Sequence, residues 1–197
     1  FLIIQLFSAS FVYAKAKQAI NIAYLTQEQN VPPPLSNLDP FIKNKGIIGA
    51  ELGIDDNNTT GEFTGQQFNL KKFIVPLDGN VADTFNKELA NKFPFVVVNL
   101  PADQINRLAD LPAAKQMLLF DVATVDDALR NEQCRSNVLH LLPSRAMRAD
   151  ALAQYMMKKR WTKWFLVIGT SQEDRLFADA IKRAAKRFGM EIVAEKP

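Results

Sequence analysis

A chain of 197 residues that is 48% hydrophobic and 23% charged, with 8 Gly and 10 Pro, has globular proportions and excludes disordered, collagen-like and coiled-coil classes. One Cys excludes a disulfide framework, and one Cys with one His excludes a zinc cluster built from those residue types. A formal charge of +3 is too weak to argue for a nucleic-acid partner. The charge is unevenly spread: residues 1–143 carry 12 basic against 15 acidic side chains, and residues 144–197 carry 12 against 6. The chain therefore changes character near residue 144.

Residues 1–16, FLIIQLFSASFVYAKA, are apolar up to Tyr13 and shorter than the roughly 20 residues of a membrane span. They end in small residues at signal-peptidase spacing, with cleavage expected after Ala14 or Ala16 and hence export to a periplasm. The start at Phe without a basic region, and a strand lying two residues before the last position, create the expectation of a longer reading frame. Ile20 to Leu25 reads as a strand, followed by the polar, Pro-rich loop Thr26 to Ser36. Asp39-Pro40 supplies a helix start, with the helix reaching about Asn57. Phe68 to Val75 is the next strand. Val81, Phe85 and Leu89 repeat at four-residue spacing behind Asn80 and predict a second helix. Strand 95–98, helix 102–111, strand 117–121 and strand 138–142 follow.

The last third is more explicit. Ser144 caps a helix reaching about Lys159, and Trp164 to Gly169 is a strand. Ser171 with Asp174 has capping-box spacing. Leu176, Phe177, Ala180, Ile181, Ala184 and Phe188 line one helix face, and Gly189 stops that helix before a strand at Glu191. Strands alternating with helices argue an α/β fold with parallel sheets.

Constellations for chemistry are weak. His140 precedes Ser144 by four residues, but no GxSxG elbow or orienting acid accompanies them, so His140 reads as structural. There is no GxxxxGK[ST] and no GxGxxG after a strand. Gly169-Thr170-Ser171 precedes a helix start, where an anion would be favoured, yet an ordinary strand-to-helix turn explains it better. Glu51, Asp55 and Asp56 lack the loop spacing of a cation site and read as a solvated face. Asp121 ends a strand as a phosphoacceptor would, without the paired acids such a site needs. Lys182, Arg183, Lys186 and Arg187 read as the solvated side of an amphipathic helix. Cys134 is either buried and free or paired with a cysteine outside this sequence. No catalytic residue, metal site or cofactor is expected, and the chain reads as a non-enzyme.

The order of elements resembles that of type I periplasmic binding proteins, the class of branched-chain amino acid receptors of ABC transporters. GAELGIDDNNTTGEFTGQ (49–66), LHLLPSRAMRADALAQYMMKKRW (139–161), EDRLFADAIKRAAKRFG (173–189) and IVAEKP (192–197) resemble the substrate-binding proteins that accompany pyrroloquinoline-quinone-dependent alcohol oxidation systems. The resemblance implies an α/β, Rossmann-like first lobe over residues 20–143 and a crossover with the start of a second lobe over 144–197. It implies a monomeric periplasmic protein that holds a small organic ligand between lobes and delivers it to an inner-membrane ABC permease. A sensing ectodomain of the same fold, without transport, is the alternative. Loops after the strands would hold the ligand, which marks Thr26, Gln27, Asn99, Leu100, Ala102, Ala123, Thr124, Ser171 and Glu173. Asn99-Leu100-Pro101-Ala102 stands where amino acid receptors offer Ser/Thr hydroxyls to the ligand carboxylate, a departure that argues against an amino acid ligand.

Overall fold

The computed structural model describes residues 17–30, 36, 38, 42 and 44–197. The expected signal peptide and the expected helix start at Asp39-Pro40 lie outside these residues. Five parallel strands form one sheet: β1 (Gln18–Gln27), β2 (Gln66–Val75), β3 (Phe95–Asn99), β4 (Leu118–Asp121) and β5 (Val138–His140), in the order β2-β1-β3-β4-β5. The order reverses between β1 and β3, which opens a crevice at their carboxyl ends. The register aligns Leu25 with Val98, Val98 with Asp121 and Asp121 with His140, so β4 and β5 end at one level and β1 and β3 run one or two residues past it.

Alternation along the strands divides the sheet into two faces. Ala23, Leu25, Val96, Val98 and Leu119 point to one face. There they meet Val81, Phe85 and Leu89 together with Ile105 and Leu108 of α3 (Ala102–Asp110). The four-residue repeat 81-85-89 is thus a core stripe. It is carried by a short helix, α2 (Val81–Thr84), that opens into a π turn at Phe85–Leu89. Asn80 caps α2 by accepting a hydrogen bond from the Asp83 N–H.

The second face carries α1 (Lys45–Thr64). This corrects the expected end: the helix, described from Lys45, runs on past Asn57 through the Asn-Asn-Thr-Thr run. Asn57 and Thr59 turn their side chains back onto the Gly53 and Asp56 carbonyls. Asn58 bonds both the N–H and the C=O of Phe68 on edge strand β2, as a neighbouring strand residue would. Tertiary bonding therefore keeps a polar run helical, and Gly65 ends it in the left-handed conformation, φ 71°.

After β5 the chain forms α4 (Arg145–Lys158), β6 (Lys163–Val167), α5 (Gln172–Arg187) and β7 (Glu191–Lys196). β6 and β7 make a separate two-stranded parallel sheet. Ala149 and Ala153 of α4 pack on Ala180 and Ala184 of α5, with Trp164, Ile181 and Phe188 around them. Asp150 accepts from Arg183 (2.7 Å) and Arg187 (2.8 Å), tying the helices on the outside. The basic side of α5 is therefore solvated and ion-paired, as expected.

Candidate functional site

The carboxyl ends of the strands gather most of the expected site residues, but they do different jobs. Thr26, at the end of β1, donates its hydroxyl proton to the Asn99 carbonyl, 3.1 Å, and fixes β1 to β3 at the crevice. Gln27 spends its amide on the loop after β2. Its Nε2 donates to the Pro76, Leu77 and Gly79 carbonyls, and its Oε1 accepts from Gln104 at 2.8 Å. Leu100 sends its side chain into the core. Ala102 is the first residue of α3, which starts without a side-chain cap.

Asn99 points to the α1 face. Its Nδ2 donates to the Tyr24 hydroxyl, 3.0 Å, and both residues line a groove of about 780 Å3 between α1 and the sheet. The groove is mostly apolar, with Ile22, Leu70, Val97 and Val122 along its floor and Gly46, Gly49 and Gly53 on its helical wall. A Cβ at Gly46 would fall within contact distance of the Tyr24 hydroxyl, so this glycine permits the close approach. Burial pushes the Tyr24 pKa above its ordinary value, and the Asn99 hydrogen bond offsets part of that push.

Asp121 lies on the other face, completely buried. Its Oδ1 accepts from the N–H groups of Ala123 (3.0 Å) and Thr124 (2.9 Å), and its Oδ2 takes the Thr124 hydroxyl and the His140 Nδ1, the latter at 2.8 Å. The other ring nitrogen of His140 lies 3.2 Å from the Leu129 carbonyl. The structure thus supplies the acid that the sequence did not mark beside His140, but both ring nitrogens are engaged by protein groups, and the Thr124 side chain is committed to Asp121. Ala123, by contrast, is exposed at the tip of the turn.

Ser171 and Asp174 form the full capping box at the start of α5. The Asp174 carboxylate takes the Ser171 N–H and hydroxyl, which hold its pKa below the ordinary carboxylate value. The helix start where a ligand anion was conceivable is therefore occupied by the helix's own acid, with Gly169 leaving room for it. Glu173 reaches elsewhere. Its carboxylate accepts from the guanidinium of Arg145, whose other arm donates to Asp126 at 2.9 Å. Burial acts to lower the Arg145 pKa, but the bonds to Glu173 and Asp126 outweigh it and the net shift is upward. Arg145 thus brings the 122–127 and 169–174 loops together.

Sequence reasoning did not single out Arg145, although a basic residue directly after a helix cap was the available signal, because a cation there opposes the helix dipole. Cys134 is exposed, which removes the buried alternative. Among the described residues, no His/Cys/Asp/Glu group is placed to hold a metal ion, and no helix is long and apolar enough to cross a membrane.

The profile of the periplasmic binding protein family matches residues 34–197. The chain belongs to the periplasmic binding protein family. Among solved structures, it is similar to an ABC transporter substrate-binding protein from Desulfitobacterium hafniense, with 18% identity and a TM-score of 0.60 over 91% of this chain and 50% of that one. A branched chain amino acid ABC transporter periplasmic ligand-binding protein from Burkholderia xenovorans LB400 gives 18% identity and a TM-score of 0.64, over 90% and 46% of the two chains. The leucine-, isoleucine-, valine-, threonine- and alanine-binding protein from Brucella ovis, in a closed conformation, gives 17% and 0.64 with the same coverage. These likenesses show the type I fold, and this chain spans about half the length of the structures it matches. No curated protein matches the chain.

Proposed function

We propose that this family member is the periplasmic solute-binding component of an ABC transporter, built from two α/β lobes that close on a small organic molecule and deliver it to an inner-membrane permease. Residues 20–143 are assigned to the first lobe and 144–197 to the crossover and part of the second. The observation that carries the reading is that the segments following β4 and β6, at the carboxyl ends of the two sheets, meet at Arg145, and carboxyl ends are where open α/β sheets take their ligands. Capture is then a shift in population toward a closed state that the ligand contacts from both sides. No covalent step is involved.

The resemblance of residues 139–161 and 173–189 to proteins of quinone-dependent alcohol oxidation systems points to products or substrates of alcohol oxidation as ligands. Asn99 is the side chain assigned to orient the ligand from the first lobe, because it ends β3 at the β1–β3 crevice. Calorimetric titration of the full-length protein with alcohols, aldehydes, short carboxylic acids and amino acids tests the reading. One class should bind without turnover, and Asn99→Ala should weaken it about tenfold, the loss of one hydrogen bond of about 1–2 kcal/mol. Absence of binding across all four classes, or turnover of any compound, would overturn it.

A further inference from the structure

Arg145 is a costly residue in its position. It is the first residue of α4, where the helix dipole presents its positive end, and it is 6% exposed. A buried cation at a helix start persists only with compensation, and here the compensation comes from two separate parts of the chain. One arm of the guanidinium goes to Asp126, 19 residues upstream in the loop after β4. The other goes to Glu173, 28 residues downstream in the first turn of α5. Two further bonds stitch the same loop to α4: the Arg145 N–H to the Val125 carbonyl (2.8 Å) and the Ala146 N–H to the Asp127 carboxylate (3.1 Å). The far end of that loop is already fixed by Asp121 through Ala123 and Thr124.

We propose that Arg145 is a positioning residue that couples the 122–127 loop to α5, so that movement of the second lobe is transmitted to a ligand-facing loop of the first. The proposal rests on the two-lobe reading above. Its physical basis is the planarity of the guanidinium, whose two terminal nitrogens sit in one rigid fork. Rotating that plane to follow one carboxylate misaligns the bond to the other. A flexible point charge such as Lys would serve one carboxylate at a time and transmit nothing. Glu173 is 69% exposed against 31% for Asp126, which makes the α5 arm the one more readily exchanged for water. The arm held more firmly is therefore the one on the ligand-facing loop.

The test needs no ligand and uses the full-length protein. Hydrogen exchange of the 122–127 amides is compared in wild type, Glu173→Gln, Arg145→Lys and the double variant. Glu173→Gln, a change in the second lobe, should raise exchange in that loop about tenfold, the scale of one hydrogen bond to a charged group. The same change made on top of Arg145→Lys should have no further effect there. Unchanged exchange in Glu173→Gln, or an equal rise in both backgrounds, overturns the coupling while leaving solute capture to its own titration. If Arg145→Lys does not fold, the Asp126→Asn/Glu173→Gln pair decides. Non-additive effects on loop exchange uphold the coupling, and additive ones overturn it.

Discussion

Asp121 has no exposed surface, yet it accepts four hydrogen bonds from Ala123, Thr124 and His140. Such a carboxylate is a turn organiser. Asp121→Ala would leave two N–H groups and the imidazole without their acceptor, and it should destabilise the fold by about 3–5 kcal/mol in urea titration. His140→Ala removes one partner only and should cost less. The sequence marked Asp121 as a strand-end acid but not its partners. The His140 contact arises from β4–β5 register across 19 residues, which no local spacing records. Gly46 offers a second residue-level test. Gly46→Ala should cost about 1–3 kcal/mol by forcing the new methyl against the Tyr24 hydroxyl. In a Tyr24→Phe background most of that cost should vanish, so thermal denaturation of the two single variants and the double variant should show strong non-additivity. Additive losses would place the strain elsewhere.

At the scale of elements, legibility followed locality. The α5 capping box and its stop at Gly189 depend on residues within one turn, and both are present. The apolar stripe is met in part: Ala180, Ile181, Ala184 and Phe188 pack toward α4, and Leu176 and Phe177 are exposed. The end of α1 depends on Asn58 reaching edge strand β2, a tertiary contact, so the Asn-Asn-Thr-Thr run read as a helix end. The α5 box also carries a pH dependence. Asp174 is lowered from 3.8 in the folded state, chiefly by the Ser171 hydroxyl and then by the Ser171 N–H. Its contribution is therefore complete above 3.8 and is lost as pH falls through the lower folded value. Amide exchange or NMR shifts at Gln172 to Asp174 should report fraying of the α5 start on acidification. In Asp174→Asn, which caps without titrating, that transition should disappear.

Across the whole molecule, stability is divided between two unequal cores. The five-stranded sheet buries a continuous cluster running from Ala23 to Val138, whereas the α4–α5 pair rests on four buried alanines with Phe165, Val167 and Val193 exposed on the small sheet. Burial of large side chains contributes about 1.5–3 kcal/mol each, so the first core should outlast the second in denaturant. The sequence placed the change of character near residue 144 but could not rank the cores, because alanine burial depends on how closely α4 and α5 approach. Both tryptophans, Trp161 and Trp164, lie in the second part, so tryptophan fluorescence reports that part alone while far-ultraviolet circular dichroism reports both. In urea, the fluorescence transition of the 197-residue chain should precede completion of the dichroism transition. Leu119→Ala, in the middle of the first core, should lower only the later transition, by about 2–5 kcal/mol. Ala153→Gly in α4 should lower only the earlier one, by about 1 kcal/mol. Coincident transitions that both variants shift together would mean that the bonds around Arg145 join the two sheets into one cooperative unit.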